Sequence, residues 1–155
     1  MKKKMYVNIL IFFILAAVDQ ITKMIVNAHI ELYRKIEIIP GFFYLTNVRN
    51  TGAAWSILSG KSAFFIVAAI AAIFMIFWYL YRNEKISAIY RFGLVMIAAG
   101  AFGNLIDRIS YAYVIDFLDF YIFGYNFPVF NFADCCITIG AGLLITDILF
   151  SKEQV

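Results

Sequence analysis

Four apolar stretches limit what this chain can fold into more than any other feature of its sequence. They cover residues 5–30, 62–81, 89–106 and 132–150. Each is close to the roughly 20 residues that a helix needs to cross the hydrocarbon core of a bilayer. Backbone polar groups in lipid must be satisfied within their own segment, so each stretch is predicted to be a helix. The expected fold class is an all-α membrane protein with four transmembrane helices.

The composition excludes an ordinary soluble domain. Of the 155 residues, 64% are hydrophobic and 15% are charged, whereas about 25% charged residues is usual for soluble domains. So short a chain cannot hide this much apolar surface in one soluble core. The net charge of +3 is small, and no basic stripe with interleaved aromatic residues indicates a nucleic-acid partner. We predict a single integral membrane domain over residues 1–155.

Positive charge orients the four spans. Cations cluster before the first span, around the turn between the second and third spans, and after the fourth, at Lys2, Lys3, Lys4, Arg82, Lys85, Arg91 and Lys152. These positions share one side if the helices alternate, and the positive-inside rule then predicts that both termini are cytoplasmic. The opposite connections carry competing cations at Arg34, Lys35, Arg49, Lys61 and Arg108.

The two outer connections, residues 31–61 and 107–131, differ in pattern. The first alternates apolar and polar residues on both sides of the turn signal Pro40-Gly41. It is expected to form a small extracytoplasmic β-containing subdomain between helices 1 and 2, with a short helix. The second is rich in aromatic residues, which suit the membrane–water interface.

Polar residues of three spans fall at one depth. Counting 1.5 Å per residue, Asp19 lies roughly 21 Å and Asn104 roughly 20 Å from the cytoplasmic ends of their spans. Asp107 and Arg108 follow Asn104 by about one turn, and Asp134 opens the fourth span. A shared polar chamber in the outer third of the membrane is predicted.

Asp116 and Asp134, eighteen positions apart, are the candidate reactive groups. An ionisable group at the centre of a membrane costs roughly 3 kcal/mol or more, so such groups usually have a function. Two carboxylates that share a proton can act as general base and general acid on one water molecule. Asp116 with Asp119 is a rival pair if both lie on one helix face. The lone His29 cannot form a His-Glu-x-x-His zinc site, so no metal or cofactor is expected.

Several interpretations remain open at this stage. The i, i+4 spacing of Asp19 and Lys23 suits a purely structural ion pair, and Asn104, Asp107 and Arg108 suit the end of a helix. Cys135 and Cys136 are expected to be packing residues. A proton-coupled transporter or channel subunit is the main functional alternative, because intramembrane aspartates also mark proton paths.

Five motifs in order resemble those of bacterial lipoprotein signal peptidase, also called signal peptidase II. They are Asp19-Gln20-Ile21-Thr22-Lys23, Arg49-Asn50-Thr51-Gly52-Ala53-Ala54-Trp55-Ser56, Gly103-Asn104-Leu105-Ile106-Asp107-Arg108, Val114-Ile115-Asp116-Phe117 and Phe130-Asn131-Phe132-Ala133-Asp134. Each motif alone is weak, and the ordered set covers nearly the whole chain.

The resemblance implies a membrane aspartyl endopeptidase of the bacterial cytoplasmic membrane, with its active site near the outer surface. Such an enzyme removes the signal peptide from prolipoproteins, just before a cysteine that carries diacylglycerol. Its implied partners are the diacylglyceryl-modified prolipoprotein and membrane lipid, with no cofactor and no required oligomer. Its catalytic pair corresponds to Asp116 and Asp134, and its supporting or substrate-binding residues to Asp19, Lys23, Asn50, Gly52, Asn104, Arg108 and Asn131.

Overall fold

A computed structural model of the chain describes residues 2–53 and 57–150. Four long helices dominate it: α1 (Lys2–His29), α2 (Ser62–Arg82), α3 (Ala88–Tyr111) and α4 (Phe132–Phe150). Each is long and apolar enough to cross a membrane, as the apolar stretches predicted. Lys152 of the charge pattern and residues 54–56 of the second motif lie outside the described residues.

The described strands form one antiparallel sheet in the order β1 (Lys35–Ile39), β2 (Phe43–Asn50), β3 (Val114–Ile122) and β4 (Tyr125–Asn126). The expectation that the sheet belongs to the α1–α2 connection was therefore incomplete, because β3 and β4 come from the α3–α4 connection. An isolated two-stranded hairpin is only marginally stable, whereas three or more strands with an apolar face support one another. Within 31–53 and 57–61 the structure contains no helix.

The structure differs from the prediction at the end of α3 and at Asp116. The helix ends at Tyr111 rather than near residue 106, so Asp107 and Arg108 lie on its last turns, as their spacing from Asn104 had indicated. A hydropathy criterion ends the helix at the first charged residues. Here the helix continues, because Asp107 and Arg108 both bind partners inside the protein. Asp116, expected in a loop, lies in strand β3.

Helix α3 is the centre of the bundle and packs against α1, α2 and α4. Its backbone comes very close to α4 at two small residues. A Cβ on Gly93 would meet the Gly140 carbonyl oxygen at 2.8 Å, and a Cβ on Gly100 would collide with the Ala133 carbonyl. Small residues allow membrane helices to approach in this way. The close contact brings Asn104 of α3 opposite the first turn of α4.

Strand β3 rests on the C-terminal end of α1. Ile115 and Phe117 form an apolar cluster with Val26 and Ile30 of that helix. Because side chains alternate along a strand, Asp116 points to the opposite face from Ile115 and Phe117. By the same alternation Asp119 lies on the face of β3 opposite Asp116. The rival Asp116–Asp119 pair was therefore a wrong prediction, since it assumed a helix.

Candidate active site

Asp116 and Asp134 line the same cavity of about 490 Å³. Asp116 comes from β3 and is 2% exposed, while Asp134 comes from the first turn of α4 and is half-buried. Most of the wall is apolar and comes from α4 and the segment before it, including Phe127, Pro128, Val129, Ile137 and Ile139. The cavity therefore combines a polar part, which contains the two aspartates, with a mostly apolar wall.

Asn131 connects the two carboxyl groups. Its Nδ2 donates to Asp116 Oδ1 over 2.7 Å, and its backbone N–H donates to Asp134 Oδ2 over 3.2 Å. Asp134 returns a bond from its own N–H to Asn131 Oδ1 over 3.0 Å. This reciprocal pattern at the start of α4 is a capping box, in which two otherwise unpaired N–H groups are satisfied. Helix formation thus fixes Asp134 relative to Asp116.

The second oxygen of Asp116 is held from the other side of the cavity. Asn50, the last residue of β2, donates from Nδ2 to Asp116 Oδ2 over 2.9 Å and accepts from the Gly52 N–H over 2.9 Å. Arg108 on α3 donates to the Gly52 carbonyl oxygen over 3.0 Å. The turn after β2 is therefore tied both to the aspartate and to α3.

Asn104 completes the link between the carboxyl groups. Its Nδ2 donates to Asp134 Oδ1 over 2.8 Å. Its Oδ1 accepts from Asn131 over 3.1 Å and from the Lys23 ammonium over 3.0 Å. Both amide atoms of Asn104 are therefore used, which fixes which way the side chain faces.

Beneath this layer Lys23 forms a buried ionic cluster. Its ammonium lies 2.9 Å from Asp19 and 3.0 Å from Asp107, and all three side chains are at most 2% exposed. Asp19 also accepts the Ala133 N–H over 2.9 Å, and Asp107 accepts the Ile115 N–H over 3.0 Å. A buried charge is tolerated only with such partners. The predicted Asp19–Lys23 pair exists. Together with Asp107 it anchors the chain next to both cavity aspartates.

Comparison with known proteins identifies the family. The family model described as "Signal peptidase (SPase) II" matches residues 11–150. The chain belongs to the signal peptidase II family.

Full-length relatives of this family are similar in sequence. The lipoprotein signal peptidase of Symbiobacterium thermophilum is 43% identical over 147 residues, which cover 95% of this chain and 97% of the relative. That of Staphylococcus carnosus is 36% identical over 156 residues, covering 99% and 98%. These relatives give no support to the transporter or channel alternative.

Solved structures share the fold. One is titled as a bacterial membrane enzyme at 2.3 Å resolution and superposes with a TM-score of 0.88 at 37% identity, covering 96% of this chain and 93% of that one. Another of the same title at 1.9 Å gives a TM-score of 0.84 at 38% identity, covering 94% of each. Four spans with an attached sheet are thus shared with known membrane enzymes.

In this member of the signal peptidase II family, the environment of Asp116 favours its protonated form. Burial raises its pKa from 3.8 to about 7, and the charge of Asp134 acts in the same direction. The hydrogen bonds from Asn50 and Asn131 lower the pKa and only partly compensate. The carboxyl group therefore exchanges its proton near neutral pH, in the range that suits a general acid or base.

The structure also adds residues that sequence reasoning had not selected as site residues. Gln20 donates to Asp19, Asp107 and the Gly103 carbonyl oxygen over 3.0–3.1 Å. Gly103 must be small, because a Cβ there would collide with the Asp19 carboxylate. Both residues belong to motifs identified in the sequence, Gln20 next to Asp19 and Gly103 next to Asn104, and that membership was the signal that could have selected them.

Other ionisable candidates lie away from the cavity. Asp119 pairs with Lys35 of β1 at 2.6 Å. His29 is exposed and bonds through Nδ1 to the Ile25 carbonyl oxygen. Asp147 accepts from Ser87 at the far end of the bundle. The remaining candidate nucleophiles are two free thiols, of which Cys135 lines the cavity and Cys136 is buried.

Proposed function

We propose that this chain is an aspartyl endopeptidase that cleaves the signal peptide from prolipoproteins, just before a cysteine modified with diacylglycerol. The observation that carries the proposal is the pair of carboxyl groups, Asp116 and Asp134, that share one cavity and are bound to one residue, Asn131. Membership of the signal peptidase II family and the names of the relatives supply the substrate class.

The pair acts on a water molecule. With one proton between two carboxyl groups, the ionised group takes a proton from water as the water attacks the scissile carbonyl carbon. The protonated group donates its proton to the carbonyl oxygen, which gives a tetrahedral intermediate. The group that took the proton from water then gives it to the departing amine nitrogen as the C–N bond breaks, and the intermediate's hydroxyl returns its proton to the other carboxyl group as the new carboxyl product forms. The raised pKa of Asp116 supports a singly protonated pair near neutral pH. The proton belongs to the coupled pair and not to one residue.

Two roles follow for the surrounding residues. Asn50, Asn104 and Asn131 hold the carboxyl oxygens, while Asp19 and Lys23 hold the segments that carry them. Arg108 and Gly52 border the cavity and offer hydrogen-bonding groups to the substrate backbone. No step requires a metal or another cofactor.

The apolar wall supports recognition of the lipid. A diacylglyceryl group that stays in the membrane anchors the cysteine at the height of the two aspartates, and a positioned substrate reacts faster than a diffusing one. The proposal includes both termini in the cytoplasm and the cavity near the outer surface of a bacterial cell membrane. The charges that flank the spans support this orientation.

The test compares a diacylglyceryl-modified precursor with the same precursor left unmodified, at equal concentration in one detergent. Purified protein should cleave the modified form much faster, and Asp134→Asn should cleave neither. Equal turnover of the two precursors by the unaltered protein would contradict the proposed specificity for lipidated precursors. The protein would then be a membrane peptidase without that specificity.

A further inference from the structure

Two grooves meet at the end of the bundle opposite the aspartates. The larger, about 640 Å³, runs between α1 and α3 over apolar residues that include Val7, Ile11, Ile86, Phe92 and Val95. The smaller, about 230 Å³, lies beside the end of α2 and is lined by Met5, Tyr6, Leu80, Tyr81 and Glu84. Lys4 begins this region fifteen residues before Asp19, or about 22 Å along the helix. Both grooves are therefore remote from the catalytic cavity.

The two grooves share two cations, Lys4 and Arg91. Arg91 is held in place by its bonds to the carbonyl oxygens of Asn83 and Glu84, over 3.3 and 3.0 Å. Glu84 contributes one negative charge beside the smaller groove, so the residues that line the two grooves remain positive in total. A positive charge at the junction of two apolar grooves matches a ligand with one anionic group and two apolar chains.

Asn8 supplies an independent observation. It borders the larger groove one turn beyond Lys4 and is only 3% exposed. Its Nδ2 has no hydrogen-bond acceptor in the part of the chain that the structure describes. A buried amide donor normally has a partner. An ester carbonyl placed about 6 Å below an anionic headgroup, one helical turn deeper, would provide that partner.

We propose that these grooves bind one anionic phospholipid. Its phosphate lies between Lys4 and Arg91, its ester region faces Asn8, and its two acyl chains occupy the two grooves. Basic pockets between membrane helices attract anionic headgroups for the same electrostatic reason. The bound lipid fills the gap between α1 and α3 and joins these two helices at the end away from the active site.

The test measures lipid retained by the purified full-length protein. Native mass spectrometry would compare phosphatidylglycerol with phosphatidylcholine that carries identical acyl chains. We expect preferential retention of phosphatidylglycerol, with the apparent affinity lowered about fivefold by Lys4→Gln. Ala88→Phe, at an exposed position that lines the larger groove one turn before Arg91, should lower retention by crowding the place of the phosphate group.

The matched control is Lys85→Gln, which removes one cation from the exposed α2–α3 turn without touching either groove. It should leave retention unchanged, and cleavage of a lipidated precursor by every variant would verify folding. Equal retention of the two lipids, an equal loss in Lys85→Gln and Lys4→Gln, or no effect of Ala88→Phe would overturn the proposal. Displacement by excess glycerol phosphate would also overturn it, because it would indicate a site for a soluble anion.

Discussion

Asn131 and Asp134 bond to each other in both directions, side chain to backbone, at the first turn of α4. The same Asn131 side chain donates to Asp116. One residue therefore begins the helix and also sets the relative position of the two proposed catalytic groups. Local helix capping and active-site geometry are coupled through this residue.

Loss of either carboxyl group should remove catalysis. Asp116→Asn and Asp134→Asn are each expected to lower the rate of precursor cleavage by about 10²–10⁴-fold, the usual contribution of a general acid or base. The measurement is cleavage of a lipidated precursor by membrane-inserted, folded protein. Asp147→Asn is the control, because Asp147 bonds to Ser87 at the other end of the bundle and should retain activity. Near-normal cleavage by either active-site variant would refute the assignment.

The raised pKa of Asp116 predicts how both stability and activity depend on pH. Its folded pKa of about 7 lies above the ordinary 3.8, so the native state holds the proton more tightly than the unfolded chain. Its contribution to stability therefore falls as the pH rises from about 4 to about 7. Activity that needs one proton on the pair should decline above about pH 7. A kcat/KM that stays constant from neutral pH into the alkaline range would contradict this.

Asn131→Ser separates capping from catalysis. Serine is an equally good N-cap residue, so the first turn of α4 should be retained, whereas the donor to Asp116 and Asn104 is lost. Because that hydrogen bond lowers the pKa of Asp116, the alkaline limb of the activity profile should move to higher pH while kcat falls. Asn131→Ala loses both functions and should also lower stability by about 1 kcal/mol. An unchanged pH profile in Asn131→Ser would argue that Asn131 is only a cap.

The thiols should be dispensable. Cys135 lies beside Asp134 on the cavity wall and Cys136 is buried next to it, but both act as packing residues in our proposal. Cys135→Ser and Cys136→Ser, singly or together, should leave most of the cleavage activity because serine fits the same space. A folded double variant without activity would require a different nucleophile.

Membrane orientation can be tested by labelling single cysteines in the Cys135→Ser, Cys136→Ser background. Lys61→Cys should react from outside the cell and Lys85→Cys only after the inner face is exposed, since both side chains are exposed at opposite ends of α2. The reverse labelling pattern would invert the topology and move the cavity to the cytoplasmic side.

Local sequence properties determined the helical part of this fold. Span length and apolar composition depend on neighbouring residues, and they correctly predicted four helices long and apolar enough to cross a membrane. The i, i+4 pairing of Asp19 and Lys23 is equally local and was readable in advance. The motifs also identified the family, because the types and order of their residues can be recognised in the sequence without knowing which residues are in contact.

Only the tertiary structure decided the sheet pairing and the assembly of the site, because both depend on contacts between residues that are distant in sequence. Strand β3 pairs with β2 across an intervening pair of helices, which makes Asp116 a strand residue and separates it from Asp119. The extension of α3 to Tyr111 depends on partners for Asp107 and Arg108 from other segments. The bond from Ala133 to Asp19 spans 114 positions. Such contacts form only when helices and sheet pack together, because in lipid each buried polar group must find its partner within the protein.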